Sequence, residues 1–180
     1  MKTKSITFIG LFTALLCIAA PLSIPIPVSP VPLSLATFII YLFSNLLGYK
    51  KALLCCLIYF LIGLAGIPVF SGFSSGVSKL LGPTGGYLIG YFFLAFFTGF
   101  FADKFPHSIK LQLLGMIIGS AFLQCLGTLW LSILTHTTFL QASLSGVIPF
   151  LPNDILKIVI VIIIAPLIKK YMAKAQLSFE

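Results

Sequence analysis

The chain has 180 residues, of which 59% are hydrophobic and 8% are charged, and its mean hydropathy is +1.18. A water-soluble domain needs about a quarter of its residues charged to cover its surface, so this composition excludes water as the main solvent. The net charge of +8 is carried by lysines alone, in short clusters at the ends of apolar runs. That placement is typical of membrane topology and argues against a partner nucleic acid.

Six apolar segments divide the chain, most of them near the length of about 20 residues that an α-helix needs to cross a bilayer. They predict an all-α integral membrane protein, with one six-helix domain over residues 1–180 embedded in the lipid bilayer. The predicted helices cover residues 5–24, 32–48, 52–67, 87–102, 111–133 and 152–168. The connecting segments, which include a proline-rich first loop and a glycine-rich third loop, are 25–31, 49–51, 68–86, 103–110 and 134–151.

The first segment also fits a cleaved signal peptide. Lys2 and Lys4 form a basic start, and residues 17–20 resemble a small-residue cleavage end. A long apolar stretch, followed at once by Pro21 and Pro25, favours an uncleaved first helix instead. Cleavage would leave five spans and place the new N-terminus outside.

The lysines orient the predicted helices. With the N-terminus inside, two lysines, Lys79 and Lys157, fall on the outer side, and the other nine fall on the cytoplasmic side. These nine are Lys2, Lys4, Lys50, Lys51, Lys104, Lys110, Lys169, Lys170 and Lys174. Basic loops stay in the cytoplasm, so we expect both termini to be cytoplasmic and the number of spans to be even.

The sequence offers little chemistry for catalysis. The four cysteines lie within apolar segments and form no CxxC pair, which argues against a metal site or a disulfide framework. The residues contain no P-loop sequence for ATP hydrolysis and no nucleophile–base pair. We therefore expect a protein that is not an enzyme and that holds neither a metal nor a cofactor.

Two loops on the predicted outer side have unusual compositions. Five prolines between Pro21 and Pro32 predict a stiff, extended connector, which is either a plain rigid loop or a wall of an outward-facing pocket. Seven of the fifteen glycines lie between Gly63 and Gly86, mixed with Phe, Leu and Val. Irregular backbone at membrane depth is tolerated where it lines a cavity. This loop is therefore interpreted as a lid, with a surface loop among the headgroups as the alternative.

The sixth segment carries Asp154 and Lys157, which are three residues apart and so share one face of a helix. A charge at the centre of a span costs roughly 2.5–3.5 kcal/mol on insertion scales. The two residues form either an ion pair within the helix or a ligand site that presents an acceptor and a cation. The ligand site is favoured because Lys79 is the one other cation on the predicted outer side.

Three stretches form a specific combination. They are Gly66-Ile-Pro-Val-Phe-Ser-Gly72, Leu81-Gly-Pro-Thr-Gly-Gly-Tyr-Leu-Ile-Gly90 and Pro152-Asn-Asp-Ile-Leu-Lys157. Together they resemble the BioY family, the biotin-specific S components of energy-coupling factor (ECF) transporters, and the resemblance extends over essentially the whole chain. It departs from the family pattern at Ala36, where a glutamine is common, and at Gly10, where an Ala-x-x-x-Ala pattern is usual.

The resemblance implies a compact six-helix S-component bundle in the cell membrane of a bacterium, with a biotin pocket near its outer face. Asp154 and Lys157 would belong to the biotin site. Gly10 and Ala14 on the first helix would face a transmembrane T component, and two cytoplasmic ATPase subunits would drive transport.

The chemistry of biotin gives the candidate residues roles. Asp154 is expected to accept from the ureido N–H groups. Lys157 or Lys79 is expected to meet the ligand carboxylate or the ureido carbonyl, and the sequence leaves that choice open. An apolar wall and backbone donors complete such a pocket, and the candidates for these roles are Phe70, Phe73, Thr84, Gly85, Gly86 and Tyr87.

A stand-alone secondary transporter of a small vitamin-like molecule is the alternative function. Proton coupling calls for membrane-embedded carboxylates or histidines, and Asp154 is the one acidic residue expected inside a span. The same shortage of reactive groups argues against an intramembrane enzyme.

Overall fold

The computed structural model describes residues 3–27 and 29–174, so Lys2 and the C-terminal residues 175–180 lie outside the described range. Within this range the chain is mostly helical, with one two-stranded sheet. The elements are α1 (Thr3–Ala19), β1 (Ser23–Ile26), β2 (Ser29–Ser34), α2 (Ala36–Leu47), α3 (Tyr49–Leu64), α4 (Gly76–Leu81), α5 (Gly85–Lys104), α6 (Ile109–Thr135), α7 (Phe139–Gly146) and α8 (Leu151–Lys174).

Each of the six predicted segments overlaps a long helix, and α4 and α7 are short helices within the loops. The sixth segment differs most at its bounds, where α8 ends at Lys174 instead of residue 168, and the first two segments are shorter than predicted. The helix α1 ends at Ala19 instead of residue 24, and α2 begins at Ala36 instead of residue 32. Proline accounts for both differences, because Pro21 and Pro32 lack the N–H that the interior of a helix requires.

The proline-rich connector between α1 and α2 is a β-hairpin, which corrects the all-α prediction. Its strands pair antiparallel, with Ser23 opposite Ser34 and Ile24 opposite Leu33. Prolines fit here because both strands of a two-stranded sheet are edge strands. The Ser34 hydroxyl donates to Ala20 O at 3.0 Å and accepts from Ala36 N at 3.1 Å. One side chain thus fixes the hairpin to the end of α1 and the start of α2.

The helix α5 lies at the centre of the bundle, where it packs on α2, α3 and most extensively on α6. Glycines on the facing surfaces let these helices approach to backbone contact. A Cβ added at Gly90 would lie 2.7 Å from the Leu123 side chain, and one added at Gly99 would lie 2.5 Å from the backbone of Tyr49. These glycines set the close spacing of α5 to α3 and α6.

The turn between α2 and α3, at the end of the bundle away from the hairpin, is held by a carboxylate. Gly48 in this turn has φ +77°, a backbone conformation that favours glycine. Asp103, near the end of α5, accepts from the backbone N–H of Tyr49 at 3.1 Å. A Cβ on Gly48 would collide with that carboxylate, so the Asp103 side chain can occupy this position only because residue 48 is a glycine.

Three helices are long and apolar enough to cross a membrane by length and composition, namely α5, α6 and α8, with 20, 27 and 24 residues. The remaining long helices are shorter, at 17 residues for α1, 12 for α2 and 16 for α3. These three helices, α1, α2 and α3, flank the hairpin and the start of the glycine-rich loop.

We expect Gly99→Ala to lower the free energy of unfolding by about 1–3 kcal/mol, because the added methyl group meets the α3 backbone, which has no flexible end to move away. Chemical unfolding in detergent, followed by circular dichroism, measures the change. Gly10→Ala is the matched control, since a Cβ at Gly10 has nothing within 4 Å and alanine has the higher helix propensity. Equal stability of the two variants would contradict the packing argument.

Candidate functional site

A narrow pocket of about 50 Å³ lies at the hairpin end of the bundle, where β2 and the starts of α2, α5 and α8 meet the middle of α6. Its walls are mainly apolar and aromatic, from Val31, Pro32, Tyr87, Leu88, Tyr91, Leu123 and Phe150. Its polar lining consists of Ser34, Thr37, Ser71, Thr84, Gln124, Asp154 and Lys157. A few polar groups in an apolar shell are typical of sites for small ligands.

Asp154 lies in the first turn of α8, where its backbone N–H donates to Phe150 O at 2.9 Å. A carboxylate is favourable at this position because the N-terminal end of a helix is electropositive. The residue is only 5% exposed. Its Oδ2 accepts from Gln124 Nε2 at 2.8 Å, so α6 orients the acid from across the pocket.

Lys157, one turn further along α8, is 6% exposed. Its ammonium donates to the backbone carbonyl of Ser34 and to the hydroxyl of Thr37, each at 2.8 Å. Asp154 Oδ1 lies 3.9 Å from the same nitrogen, which is longer than a charge-assisted hydrogen bond of about 2.7–2.9 Å. The two charges therefore attract each other across a gap, and one of the three ammonium protons has no partner among the described residues.

Two further side chains of the pocket contain buried polar atoms without a hydrogen-bond partner among the described residues. They are Thr84 Oγ1 and Gln124 Oε1. Nearly all buried polar atoms in folded proteins are hydrogen-bonded, so each exception calls for an explanation. At a pocket wall, a polar ligand or ordered water provides one.

Tyr87 forms part of the aromatic wall and also joins three helices. Its hydroxyl donates to Gly146 O at the end of α7 at 2.8 Å, and its ring lies against Gly127 on α6. Tyr87 thus lines the pocket with its ring, while its hydroxyl is bonded within the protein.

Gly85 and Gly86, which were predicted to offer backbone donors to the ligand, begin α5 and pack against α6. A Cβ at Gly85 would overlap the backbone of Leu80 in α4 and lie 3.0 Å from Trp130 Nε1, and one at Gly86 would overlap the Trp130 side chain. Trp130 also donates its indole N–H to Gly82 O at 2.9 Å. These contacts hold the glycine-rich segment on α6, beside Thr84, which does line the pocket.

The two phenylalanines of the glycine-rich loop lie in different surroundings. Phe70 is fully buried, with its ring 5.5 Å from that of Tyr59 and in contact with Gly63. Phe73 is 66% exposed, has φ 54°, and lines a groove beside Asn153 at the start of α8. Phe70 anchors the loop to α3, whereas Phe73 lies at the rim of the site.

Lys79, in the short helix α4, lies apart from Asp154 and Lys157, in a neighbouring groove between the hairpin and the glycine-rich loop. Serines line this groove as well, and Pro32 and Ser71 belong to both the groove and the pocket. Partial burial lowers the pKa of the Lys79 ammonium. The structure thus separates the two candidate cations into adjoining compartments.

Gly10 and Ala14, predicted to face another membrane subunit, lie on the exposed side of α1. A Cβ at Gly10 has open space around it. Neither residue is near the pocket.

Four polar residues of the pocket were not predicted as ligand-site residues, namely Ser34, Thr37, Ser71 and Gln124. For Ser34, Thr37 and Gln124 the sequence does contain a signal, because a polar side chain in an apolar segment is energetically costly. Polar side chains inside membrane helices face the bundle interior and mark functional sites. Their convergence on Asp154 and Lys157 depends on contacts between α2, α6 and α8 that periodicity alone does not give.

Known proteins share the sequence and the fold of this chain. The family model described as the BioY family matches residues 1–174. The chain belongs to the BioY family. Of two curated relatives, the "Probable biotin transporter BioY" of Pyrococcus horikoshii is 38% identical, over 92% of this chain and 96% of its own length. The "Biotin transporter BioY" of Thermotoga maritima is 37% identical, over 89% of this chain and 93% of its own length.

A solved structure has the same fold. The crystal structure of an S-component for biotin from an ECF-type ABC transporter matches with a TM-score of 0.87 and 30% sequence identity, over 94% of this chain and 92% of that chain. Together with the apolar helices α5, α6 and α8, this match makes the chain a membrane protein of the BioY family with an S-component fold.

Proposed function

We propose that this chain is the biotin-capture subunit, the S component, of an ECF-type ABC importer in the cell membrane. The observation that carries the proposal is the buried pair of Asp154 and Lys157 in the wall of a small pocket. Burying two charges in an apolar bundle is expensive, and a pair separated by 3.9 Å is poorly compensated by its own attraction. A polar ligand that bonds to both charges accounts for their retention.

We propose six spans, with both termini cytoplasmic and the pocket on the outer side, as the lysine distribution predicts. The 12 residues of α2 rise only about 18 Å, against roughly 30 Å of hydrocarbon. The strand β2, which precedes α2 and is nearly continuous with it, adds the missing length, because extended residues rise about 3.3 Å each. The hairpin is therefore part of the second span as well as a wall of the pocket.

The ureido ring of biotin fits the polar groups around Asp154 and Lys157. A ureido group has two N–H donors and one carbonyl acceptor. Asp154 Oδ1 accepts from an N–H, and the remaining ammonium proton of Lys157 donates to the carbonyl. The apolar walls from Tyr87, Leu88 and Phe150 then surround the sulfur-containing ring.

The valerate carboxylate of biotin is assigned to Lys79. Lys157 already donates two protons to Ser34 and Thr37, whereas no described residue is seen to bond the Lys79 ammonium. The groove that contains Lys79 adjoins the pocket at Pro32 and Ser71, so a ligand can extend from one into the other.

We expect Asp154→Ala and Lys157→Ala to weaken biotin binding by at least about 100-fold, because each removes a charged partner and leaves the other charge buried and unpaired. Isothermal titration calorimetry on purified protein in nanodiscs measures the dissociation constant. Asp103→Ala, at the other end of the bundle, is the control and should bind biotin like the wild type. Riboflavin and thiamine should not bind. Wild-type affinity in both Asp154 and Lys157 variants would eliminate this site.

We expect Lys79→Met to weaken binding of biotin by about 10-fold, the loss of one partly exposed charge-assisted hydrogen bond. Binding of biotin primary amide, which lacks the negative charge, should stay unchanged, so the variant loses the wild-type preference for the acid. Lys110→Met, at the cytoplasmic end, is the control. A preserved preference in Lys79→Met would assign the carboxylate to Lys157 instead.

The exposed face of α1 is proposed as the contact with the transmembrane T component, with two cytoplasmic ATPase subunits completing the importer. We expect Gly10→Leu to reduce ATP-dependent biotin uptake into liposomes that contain all subunits, because the larger side chain prevents close helix contact. Biotin binding to the isolated variant should be unaffected, as Gly10 lies in open space. Loss of binding would instead give Gly10 a role inside the fold.

The same liposomes tested without the partner subunits separate the importer from a stand-alone secondary transporter. Uptake that needs neither ATP nor partners would favour the secondary transporter.

A further inference from the structure

The buried amide of Gln124 on α6 has no role in the function proposed above beyond orienting Asp154. Gln124 is 8% exposed and lines the pocket together with Asp154 and Lys157. Because the carboxylate of Asp154 can only accept, the end of the amide that lies 2.8 Å from Oδ2 is the nitrogen. The oxygen, Oε1, is therefore the end left without a partner among the described residues.

Gln124 is thus fixed as an acceptor. One N–H of its nitrogen donates to Asp154, so exchanging the positions of the amide nitrogen and oxygen would break that bond and bring two acceptor oxygens together. A free glutamine would adapt to a donor or an acceptor on a ligand, since its amide carries both. The bond to Asp154 removes this choice and selects for a ligand with an N–H at this point.

The unused hydrogen-bonding groups of the site then form a defined set. Around the pair of Asp154 and Lys157 they include two acceptors, Asp154 Oδ1 and Gln124 Oε1, and one donor, the third proton of the Lys157 ammonium. The Thr84 hydroxyl, elsewhere in the pocket wall, can act as either. A cyclic urea has the complementary set, with two N–H donors flanking one carbonyl. A ring amide lacks one of the two donors, and a lactone or a thiazole lacks both, so each would leave at least one buried acceptor unpaired, which reduces affinity strongly.

We propose that Gln124 is a specificity-determining residue whose Oε1 accepts one of the two N–H groups of a cyclic urea, while Asp154 accepts the other. This inference rests on the proposed function of biotin capture and deepens it, because it names the structural feature of the ligand that the site reads. The sequence alone singles out Asp154 but not the second acceptor.

The test compares biotin with two isosteric cyclic carbamates, in each of which one ureido N–H is replaced by a ring oxygen. The wild type should bind both analogues at least about 10-fold more weakly than biotin, because each leaves one buried acceptor without a donor. In Gln124→Leu, discrimination against one carbamate should disappear, and discrimination against the other, whose missing N–H faces Asp154, should remain. Calorimetry gives the dissociation constants.

Gln112→Leu is the matched control. Gln112 is a second buried glutamine on α6, bonded to Asn45 at 3.0 Å and to the backbone carbonyls of Phe105 and Pro106. This variant should keep the wild-type ratios for both carbamates. If Gln124→Leu does not fold, Gln124→Met has the length of the original side chain and should give the same result.

Three outcomes would overturn the inference. Unchanged ratios for both carbamates in Gln124→Leu would mean that Oε1 bonds to water and not to the ligand. Equal loss of discrimination against both would mean that Gln124 acts only by holding Asp154 in place. Absence of biotin binding to the wild type would overturn the proposed function, and the inference with it, whereas the first two outcomes leave biotin capture intact.

Discussion

The ammonium of Lys157 has to be solvated by protein groups, because the interior of an apolar bundle contains little else that can replace water. Ser34 and Thr37 provide two of the oxygen atoms. Both belong to the junction between the hairpin and α2, so a single cation connects that junction to α8. The Ser34 hydroxyl in turn joins the end of α1 to the start of α2. The residues that form this wall of the pocket are therefore the same ones that solvate the Lys157 ammonium.

Close helix packing gives this arrangement its precision. The glycine-rich segment enters α5 against Trp130, whose indole N–H bonds to Gly82, and no side chain larger than hydrogen fits at Gly85 or Gly86. Thr84, which lies between these contacts, is thereby held at the pocket. The glycines act here by permitting contact between helices, and the flexibility that their number suggests in the sequence is not their role at these two positions.

The sequence predicts the long apolar helices well and the connections poorly, for a physical reason. The spans α5, α6 and α8 follow from composition, because a bilayer requires long apolar helices. The hairpin was predicted only as a stiff extended connector, since proline content gives backbone preference but not strand pairing. Phe70 and Phe73 are equivalent by composition, yet one is buried against Tyr59 and the other is exposed at the rim, a difference that depends on tertiary contacts.

Site prediction has the same limit. The pair of Asp154 and Lys157 stands out because charges are rare in this chain, and their helical spacing places them together. The polar groups that complete the site, Ser34, Thr37 and Gln124, come from positions 30 or more residues away along the chain. Single serines, threonines and glutamines in apolar helices are common enough as packing residues that their assignment requires the fold.

A site of this kind has a consequence for stability. The pocket holds a separated ion pair and two buried polar atoms that have no partner in the part of the chain that the structure describes, and each of these lowers the stability of the unliganded bundle. A ligand that bonds to these groups removes the penalty in the bound state, and any ligand that binds only the folded protein stabilises it by mass action. The polar groups that determine which ligand binds therefore also make the stability of the fold depend on that ligand. The hairpin and the glycine-rich segment, which both contribute residues to the pocket wall, are therefore the parts expected to respond most to whether the ligand is bound.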